Sequence, residues 1–401
     1  MDNKMACINR RDFLVGAGIL ASGAGVLRAA YVQSGPKIKL GLIGCGGRGA
    51  WITHLFLKHG GYELAAVADY FQDKVDAIGD KLKVPANRRF TTLSGYKKLL
   101  ECTDVDAVVI QSPPYFHPEQ AQAAVDAGKH VYLAKPIAVD VPGCLTIEVS
   151  GKAATAKKRC FLVDFQTRAN AHYIEAIRRV HEGAIGDYVF GDAITHTSQL
   201  GTQAEPGTPE ARLRNWVFDK VLSGDIITEQ QIHTLDVMSW VMNTTPLCAT
   251  GTGGRKVRTH VGDCWDYFTV LYEYPNQVGV PYSGRQFNAQ ETRPDGYWFR
   301  IHGTKGVLET TYGGQVLLRS KNLYKGQTDQ IYQEGAENNI AAFHKQITEN
   351  RFENTTVAPS VQSNLVTILG RTAAYRNARI GWQELLNGRE KLVFDADGLK
   401  P

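Results

Sequence analysis

The chain of 401 residues is long enough for two or three domains, each with a buried core. Apolar residues make up 43% of the sequence and charged residues 21%, which is typical of a soluble globular protein and excludes disordered, collagen-like and coiled-coil chains. The 45 basic and 40 acidic residues leave a net charge of +5. This charge is small and dispersed, and the sequence has no RNP or zinc-finger motif, so we expect no nucleic-acid partner.

The first thirty residues have the pattern of an export signal. Arg10-Arg11 precedes Phe13-Leu14, and a Gly/Ala-rich apolar run over 15–27 leads to Ala29-Ala30. This order is typical of a twin-arginine signal peptide, and the apolar run is shorter than the roughly 20 residues that span a bilayer. We therefore expect residues 1–30 to be cleaved and the mature protein to be periplasmic, without stable membrane insertion. The alternative is an amphipathic terminus with no signal function.

The cysteines do not indicate a metal centre. Their spacing fits neither a zinc site nor an iron–sulfur site, so we expect no metal. Cys7 would leave with the signal peptide. The other six lie mostly in apolar segments, so we expect buried free thiols rather than disulfides. The seven cysteines are at positions 7, 45, 102, 144, 160, 248 and 264.

Residues 37–164 have the pattern of a dinucleotide-binding unit. A predicted strand over 37–43 runs into a glycine-rich loop, and a predicted helix over 50–58 follows. In this G-x-G-x-x-G arrangement the glycines allow a tight turn, close approach of a pyrophosphate and close helix–strand packing, while the helix amides face the phosphates. The predicted cofactor-binding residues of this loop are Gly44, Gly46, Gly47, Arg48 and Gly49.

An acidic residue ends the second predicted strand, over 62–69. Asp69 follows the loop by twenty residues, where a carboxylate accepts hydrogen bonds from the adenosine ribose and repels a 2′-phosphate. The sequence therefore predicts NAD as the cofactor. Arg48 could reach a phosphate, so NADP use stays open.

Further strands and helices alternate up to residue 164. Strands are predicted at 106–111, 130–134 and 160–164, and helices at 118–127 and 142–157, which indicates a doubly wound parallel sheet. Ligands bind beyond the carboxyl ends of such strands. His117 could cap its turn as well as touch the cofactor. The residues predicted to bind cofactor at this edge are Ser112, Pro113, Pro114, His117 and Lys135.

The second half of the chain has a different pattern, with helices predicted at 171–181, 338–350 and 360–376. Spaced period-2 stretches at 188–197, 249–253, 265–273, 278–283 and 297–302 predict an antiparallel sheet with one face toward the cofactor. We expect an α+β domain over 165–385 and a tail over 386–401. An exposed open sheet commonly mediates pairing, so we expect a homodimer or homotetramer.

These motifs resemble those of the glucose–fructose oxidoreductase/inositol dehydrogenase/MocA (Gfo/Idh/MocA) family over residues 37–385. The resemblance implies an NAD(P)-binding Rossmann domain followed by an α+β domain with a large open, mostly antiparallel sheet. The substrate would lie between that sheet and the nicotinamide. The motifs that carry the resemblance are the glycine loop with Asp69, Ser112 to His117, Lys135-Pro136, Phe165 to Arg168, and Gly224-Asp225 leading to Glu229, His233 and Asp236.

The family's catalytic residues fall on three positions of this chain. Lys135 would hold the reacting oxygen of the substrate, and His233 would be the general base. Glu229 lies four residues before His233, so on one helix the two side chains would share a face, and the carboxylate would raise the pKa of the imidazole. His233 could instead be a packed core residue. The family's glutamate before the lysine is Ala134 here.

The residues predicted to bind substrate combine aromatic faces with polar groups, as a sugar ring requires. Arg168 could instead brace the junction between domains. We expect an exported NAD-dependent dehydrogenase of a sugar, glycoside or polyol. The alternatives are a redox-neutral enzyme that retains NAD and cleaves glycosides, and a non-catalytic binding protein. The predicted substrate-binding residues are Arg168, Trp216, Gln231 and Asp236, and weaker candidates are His196, Trp265, Asp266, Tyr267 and Arg285.

Overall fold

The structure is a computed structural model that describes residues 36–288 and 295–401. The predicted signal peptide and Cys7 lie outside the described residues. Gly35–Pro401 forms one compact unit that contains two sheets. None of the helices that the structure describes is long and apolar enough to cross a membrane.

The first sheet has six parallel strands in the order β3-β2-β1-β4-β5-β6. Helices cover both faces, so the central strands are apolar without alternation, and every residue of Ala107–Ile110 is buried. The predicted strands of this sheet are confirmed. Its strands are β1 Ile38–Ile43, β2 Tyr62–Ala68, β3 Arg89–Phe90, β4 Ala107–Ile110, β5 His130–Ala134 and β6 Phe161–Asp164.

Five helices connect these strands. The helix after the glycine loop begins at Gly47, three residues earlier than predicted, and ends at His59. The next residue, Gly60, has the left-handed conformation (φ 86°). Asp140 caps the fifth helix by accepting a hydrogen bond from Gly143 N–H. The second and third helices and β3 are not among the predicted elements. The helices are α1 Gly47–His59, α2 Gln72–Leu82, α3 Gly95–Leu100, α4 His117–Asp126 and α5 Val141–Ala156.

The second sheet has nine strands in the order β14-β13-β12-β11-β7-β10-β9-β8-β15. Every neighbouring pair is antiparallel except β7 and β10, which confirms the predicted mostly antiparallel sheet. The strands are β7 Tyr188–Thr197, β8 Cys248–Gly254, β9 Tyr267–Tyr274, β10 Val278–Gln286, β11 Gly296–Gly303, β12 Gly306–Thr311, β13 Gln315–Arg319, β14 Tyr324–Gln327 and β15 Arg379–Gly381.

Helices join the two sheets. The longest of them, Val357–Arg376, is buried along most of its length because it packs on both α5 and β8. Ile331–Thr348 packs on α1, next to the glycine loop. The helices of this half are α6 Ala171–His181, α7 Pro209–Arg214, α8 Lys220–Ser223, α9 Ile226–Glu229, α10 Ile232–Met242, α11 Ile331–Thr348, α12 Val357–Arg376 and α13 Trp382–Gly388.

The described cysteines are free thiols, as predicted. Cys45, Cys144, Cys160, Cys248 and Cys264 are buried, and Cys102 is partly exposed. Across residues 36–288 and 295–401, no group of three or more His, Cys, Asp or Glu side chains could hold a metal ion.

Candidate active site

The glycine loop leaves one face open to a ligand. Gly44 has φ 94°, and a Cβ on Gly49 would lie 1.9 Å from the carbonyl oxygen of Gly44, so both positions require glycine. A Cβ on Gly46 or Gly47 would have no atom within 4 Å in the described structure. No side chain caps the N-terminus of α1, so its first amides can bind phosphate oxygens. The loop therefore fits the pyrophosphate of a dinucleotide.

A cleft of about 410 Å³ opens beside this loop. Its Rossmann side is formed mainly by the loops after β1, β2, β3 and β4, and its opposite side by Gln203, α7 and the turn that follows α7. The Rossmann side includes Gly46, Gly47, Asp69, Tyr70, Phe71, Leu93, Ser112, Pro113 and Phe116, and the opposite side includes Leu213, Arg214 and Trp216.

Asp69 lines the cleft and ties the glycine loop to the end of β2. Its Oδ2 accepts a hydrogen bond of 2.6 Å from Cys45 N–H, and its Oδ1 accepts one of 2.9 Å from Phe71 N–H. Burial raises the pKa of Asp69, and the two N–H donors act in the opposite direction. The carboxylate is thus positioned at the cleft, where the sequence interpretation places the ribose.

Trp216 lies in the cofactor cleft, although it was predicted to bind substrate. It follows α7, whose last residue closes the same end of the cleft. The guanidinium of Arg214 lies 3.9 Å from the centre of the Phe71 ring and 2.7 Å from an oxygen of Asp73. The α7 segment therefore contributes to the adenosine end of the site, which the sequence did not indicate.

Ser112 and Pro113 line the cleft, whereas Pro114 and His117 are buried behind it. The two ring nitrogens of His117 lie 2.8 Å from the carbonyl oxygens of Pro136 and Ser112. Burial lowers the pKa of His117 to about 4. The prediction that Pro114 and His117 touch the cofactor is therefore wrong, and His117 instead braces the two loops at the sheet edge.

Arg48 lines the cleft, and its guanidinium is bonded to other groups of the protein. Its guanidinium pairs with Asp164 at the end of β6 and donates a hydrogen bond of 2.7 Å to the hydroxyl of Tyr332. It also lies 4.7 Å from the centre of the Trp51 ring. The buried carboxylate of Asp164 holds the cation, and the contact between Arg48 and the cofactor phosphates stays a prediction.

Asp164 is paired in register with Ala134 across β5 and β6. Its side chain is fully buried and also accepts hydrogen bonds from Asn339 Nδ2 (2.8 Å) and Gln166 Nε2 (3.1 Å). Residues paired in a parallel sheet project from the same face. A carboxylate is therefore present one strand away from Ala134, the position where the family has glutamate.

Lys135 projects from the end of β5 toward the second half of the chain. Its Nζ donates a hydrogen bond of 2.7 Å to the backbone carbonyl of Glu229 and lies 3.5 Å from the Oε1 of that residue. Burial lowers the pKa of Lys135, and the Glu229 carboxylate partly offsets this effect. The ammonium group is therefore held at the junction of the two sheets.

His233 does not share a helical face with Glu229. The helix α9 ends at Glu229 and α10 begins at Ile232, so the four-residue spacing crosses a break. Burial lowers the pKa of His233 well below its ordinary value, and the cations of Lys135 and Arg48 lower it further. The predicted upward shift is wrong because the Glu229 carboxylate faces Lys135.

The imidazole of His233 lies in an aromatic enclosure. The ring centres of Tyr297 and Tyr312 are 5.6 and 5.2 Å from that of His233. Nδ1 of His233 is buried without a hydrogen-bond partner in the described part of the chain. A neutral imidazole with an unpartnered nitrogen near a lysine ammonium can act as a general base.

Three residues that were predicted to bind substrate form internal contacts instead, and these are Arg168, Gln231 and Asp236. Asp236 is fully buried and pairs with Arg168, and the Nη2–Oδ1 distance is 2.8 Å. Gln231 is fully buried and accepts a hydrogen bond of 2.6 Å from the hydroxyl of Tyr282. The assignment of Asp236 and Gln231 to the substrate is wrong, because neither side chain is exposed to a ligand. Arg168 braces the junction, which was the open alternative.

The weaker candidates also have structural partners. Asp266 is fully buried and accepts hydrogen bonds from three consecutive backbone amides, those of residues 256–258. Trp265 stacks on Tyr375 with ring centres 3.9 Å apart. His196 Nε2 lies 2.9 Å from Ser283 Oγ, Arg285 pairs with Asp295, and Tyr267 lies 5.9 Å from the Lys256 ammonium.

The sequence interpretation missed three side chains near Lys135 or His233, namely Asp164, Tyr297 and Tyr312, and also Tyr332, which lies against Arg48. Asp164 is the last residue of a predicted strand, at the edge where ligands bind, and this position was a usable signal. Tyr297, Tyr312 and Tyr332 come from β11, the β12–β13 turn and α11, and their sequence positions carry no such signal.

Comparisons with known proteins agree with this architecture. Residues 38–165 match the "Oxidoreductase family, NAD-binding Rossmann fold", and residues 173–309 match the "GFO/IDH/MocA C-terminal domain". Inositol 2-dehydrogenase of Rhizobium meliloti (strain 1021) is 25% identical over 279 residues, which cover 68% of this chain and 74% of the relative.

Two further proteins extend the comparison. The α-N-acetylgalactosaminidase of Shewanella oneidensis is 28% identical over 342 residues, which cover 78% of this chain and 68% of the relative. The solved structure of levoglucosan dehydrogenase in complex with NADH and levoglucosan superposes with a TM-score of 0.68 at 18% identity, covering 86% of this chain and 99% of the other. With its two family matches and the dinucleotide cleft, the chain belongs to the Gfo/Idh/MocA family of NAD-binding oxidoreductases.

Proposed function

We propose that the protein oxidises a secondary hydroxyl of a sugar, glycoside or polyol. The observation that carries this proposal is the placement of the Lys135 ammonium and a neutral His233 in one buried cluster at the carboxyl edge of the parallel sheet. The dinucleotide cleft reaches the same edge at Ser112 and Pro113. A base and a cation are the two groups that oxidation of an alcohol needs from the protein.

The chain's own residues carry the proton chemistry. The Nζ of Lys135 binds the hydroxyl oxygen and stabilises the negative charge that develops on it. The imidazole of His233 accepts the hydroxyl proton. Tyr297 and Tyr312 exclude water from this imidazole. The glycine loop and Asp69 would hold the cofactor, which when bound supplies the hydride acceptor for the carbinol carbon.

The relatives support the substrate class. The names of inositol 2-dehydrogenase and levoglucosan dehydrogenase describe oxidation of a polyol and of an anhydrosugar. A screen of sugars, polyols and glycosides with added NAD, followed by absorbance near 340 nm, tests the proposal. Reduction of NAD by a member of these classes is the expected result. Absence of reduced nucleotide with every compound, free or protein-bound, would contradict it.

A redox-neutral glycoside-cleaving activity is the second candidate. The similarity to an α-N-acetylgalactosaminidase favours it over a binding protein without turnover. Release of nitrophenol from a nitrophenyl glycoside, without net formation of NADH, would select this candidate. Net NADH without glycoside cleavage would select the dehydrogenase.

We also propose that the protein is exported by the twin-arginine route. The Arg10-Arg11 pair and the following apolar run support this. Replacement of both arginines with lysine is expected to keep the protein in the cytoplasm, as measured by cell fractionation. Unchanged export of the double variant would exclude the twin-arginine route.

A homodimer or homotetramer is our proposal for the assembly. Exposed apolar side chains on the second sheet support it, namely Val189 and Phe190 on β7 and Leu271 on β9. Light scattering after size exclusion is expected to give a multiple of the chain mass. The mass of one chain at micromolar concentration would contradict the proposal.

A further inference from the structure

The last thirteen residues form an ordered segment that returns to the cofactor domain. After α13 ends at Gly388, residues 389–401 contain no helix or strand. Leu392 N–H nevertheless donates a hydrogen bond of 2.9 Å to Asp140, and Lys400 N–H donates one of 3.2 Å to the hydroxyl of Tyr70. We refer to residues 389–401 as the C-terminal strap.

The strap contacts the Rossmann side of the cofactor cleft at three loops. Lys400 bonds to Tyr70 after β2, and its carbonyl oxygen accepts a hydrogen bond of 3.2 Å from Leu93 N–H after β3. Phe394 N–H donates to the hydroxyl of Tyr115 after β4, at 3.3 Å. Tyr70 and Leu93 themselves line the cleft. The strap therefore fixes the loops that form one side of the cofactor site.

The same segment contacts the opposite side of the cleft. The Phe394 ring is 9% exposed and lies 4.8 Å from the guanidinium of Arg212 in α7. It packs in one apolar cluster with Leu213, which lines the cleft, and a Cβ on Gly398 would meet Pro209 at 3.1 Å. Because α7 carries the second side of the cleft, Phe394 connects the two sides.

The strap does not itself line the cleft within the described structure. Its contacts lie behind Tyr70, Leu93 and Leu213, so it cannot select the ligand by direct contact. What it can do is resist separation of the two sides. A dinucleotide bound between them is held by contacts from both, and each contact that opposes their separation lowers the rate of release.

We propose that the C-terminal strap retains the bound dinucleotide by joining the two sides of its cleft. The proposal rests on dinucleotide binding and is independent of the identity of the substrate. It implies slow exchange of cofactor with the solvent, so that the cofactor can undergo many turnovers on one protein molecule. The rate of cofactor release can be measured even if no sugar in the screen is oxidised, because that measurement needs only the nucleotide.

The test is the dissociation rate of NADH from the full chain and its variants. NADH-loaded protein is mixed with excess NAD, and the loss of protein-bound NADH fluorescence is followed. A chain that ends at Gly388 is expected to release NADH faster by about tenfold or more. Phe394→Ala is expected to act in the same direction, since it removes the side chain that connects the two sides.

Two further variants distinguish an effect on NADH release from an effect on folding. Tyr115→Phe removes only the hydroxyl that bonds to the strap and is expected to raise the release rate by roughly three- to tenfold, the value of one hydrogen bond. Val393→Ala is the control, because Val393 is 72% exposed and neighbours Phe394. This control is expected to release NADH at the rate of the unaltered chain.

Thermal unfolding with and without NADH completes the design. Loss of retention lowers the rise in Tm that NADH causes, while a purely structural role lowers both Tm values equally. Release at the unaltered rate in Phe394→Ala and Tyr115→Phe would overturn the proposal, and so would failure of the unaltered chain to bind NADH. The two point variants decide the question even when the shortened chain does not fold.

Discussion

The Nζ of Lys135 donates a hydrogen bond of 2.7 Å to the backbone carbonyl of Glu229, and this contact joins β5 of the first sheet to α9 of the second half of the chain. The Glu229 carboxylate lies 3.5 Å from the same ammonium. The backbone thus fixes the position of Lys135, and the carboxylate compensates its charge. His233 follows in α10, where burial lowers the pKa of the imidazole and the same cation lowers it further.

We expect His233→Ala and Lys135→Ala each to lower turnover by about 10²–10⁴-fold. Loss of His233 removes the base, and loss of Lys135 removes the cation that stabilises the alkoxide. Affinity for NAD should stay near that of the unaltered protein, because neither residue contacts the adenosine end. Initial rates and nucleotide titrations on any active substrate measure both quantities. Near-normal turnover of His233→Ala would mean that His233 is a core residue.

The acid limb of the pH–rate profile should lie below the ordinary histidine pKa of about 6.5. Turnover needs neutral His233, so the rate rises as pH increases through the lowered pKa of this group. Arg48→Met removes one of the cations that lower it, and the limb should then move to higher pH. Arg48→Lys keeps the charge and serves as the matched control. A limb that stays in place in Arg48→Met would show that Arg48 does not affect the base.

Glu229→Gln should move the alkaline limb to lower pH. The Glu229 carboxylate favours protonated Lys135, while burial disfavours it. Removal of the carboxylate therefore lowers the pKa of Lys135, and the ammonium is lost earlier as pH rises. The measurement is kcat against pH between neutral and alkaline values. The acid limb is an internal reference, because Glu229 is not among the groups that shift His233.

Asp69→Ala should lower the affinity for NAD and reduce the ratio of the affinities for NAD and NADP. The carboxylate lines the cleft and repels a 2′-phosphate, and it also orders the loop through Cys45 N–H. Isothermal titration with both nucleotides measures the change. Asp76→Ala is a suitable control, since Asp76 lies in α2 and its side chain is 44% exposed. Unchanged NAD affinity in Asp69→Ala would exclude contact with the ribose.

Asp164→Ala should lower the free energy of unfolding by about 3–5 kcal/mol, because it leaves the guanidinium of Arg48 without its buried partner. Urea unfolding measures the difference. Asp192→Ala breaks an ion pair with Arg300 in which both side chains are about one-third exposed, and should cost about 1 kcal/mol or less. Equal losses of unfolding free energy in the two variants would show that the buried pair with Arg48 contributes no more to stability than the exposed pair.

Five of the six strands of the first sheet could be predicted from sequence, because they are mostly apolar and the glycine loop marks the end of the first of them. The sixth, β3, has only two residues, Arg89 and Phe90, and was not predicted. The break between α9 and α10 could not be predicted, since Gln230 and Gln231 are not helix breakers. The same break invalidated the spacing argument for Glu229 and His233. The pair of Arg48 with Asp164 could not be predicted either, because the two residues lie 116 positions apart and no local pattern encodes such a contact.

The second sheet was predicted only in part. Its strands with clear alternation, such as β9, were found, whereas β12, β13 and β14 were not predicted as strands. The strap was predicted only as a tail. Its order depends on Phe394 and on hydrogen bonds to Tyr70 and Tyr115, and such partners become visible only in three dimensions.

The register between Ala134 and Asp164 means that two acids at these positions could not both be ionised without a large electrostatic cost. A glutamate at 134 would place its carboxylate beside that of Asp164 on the same face of neighbouring strands, in a region that excludes water. Two adjacent buried carboxylates repel each other, and one of them must take up a proton. Ala134→Glu in this chain is therefore expected to leave one of the two acids protonated at neutral pH, which distinguishes it from the present arrangement of a single carboxylate paired with Arg48.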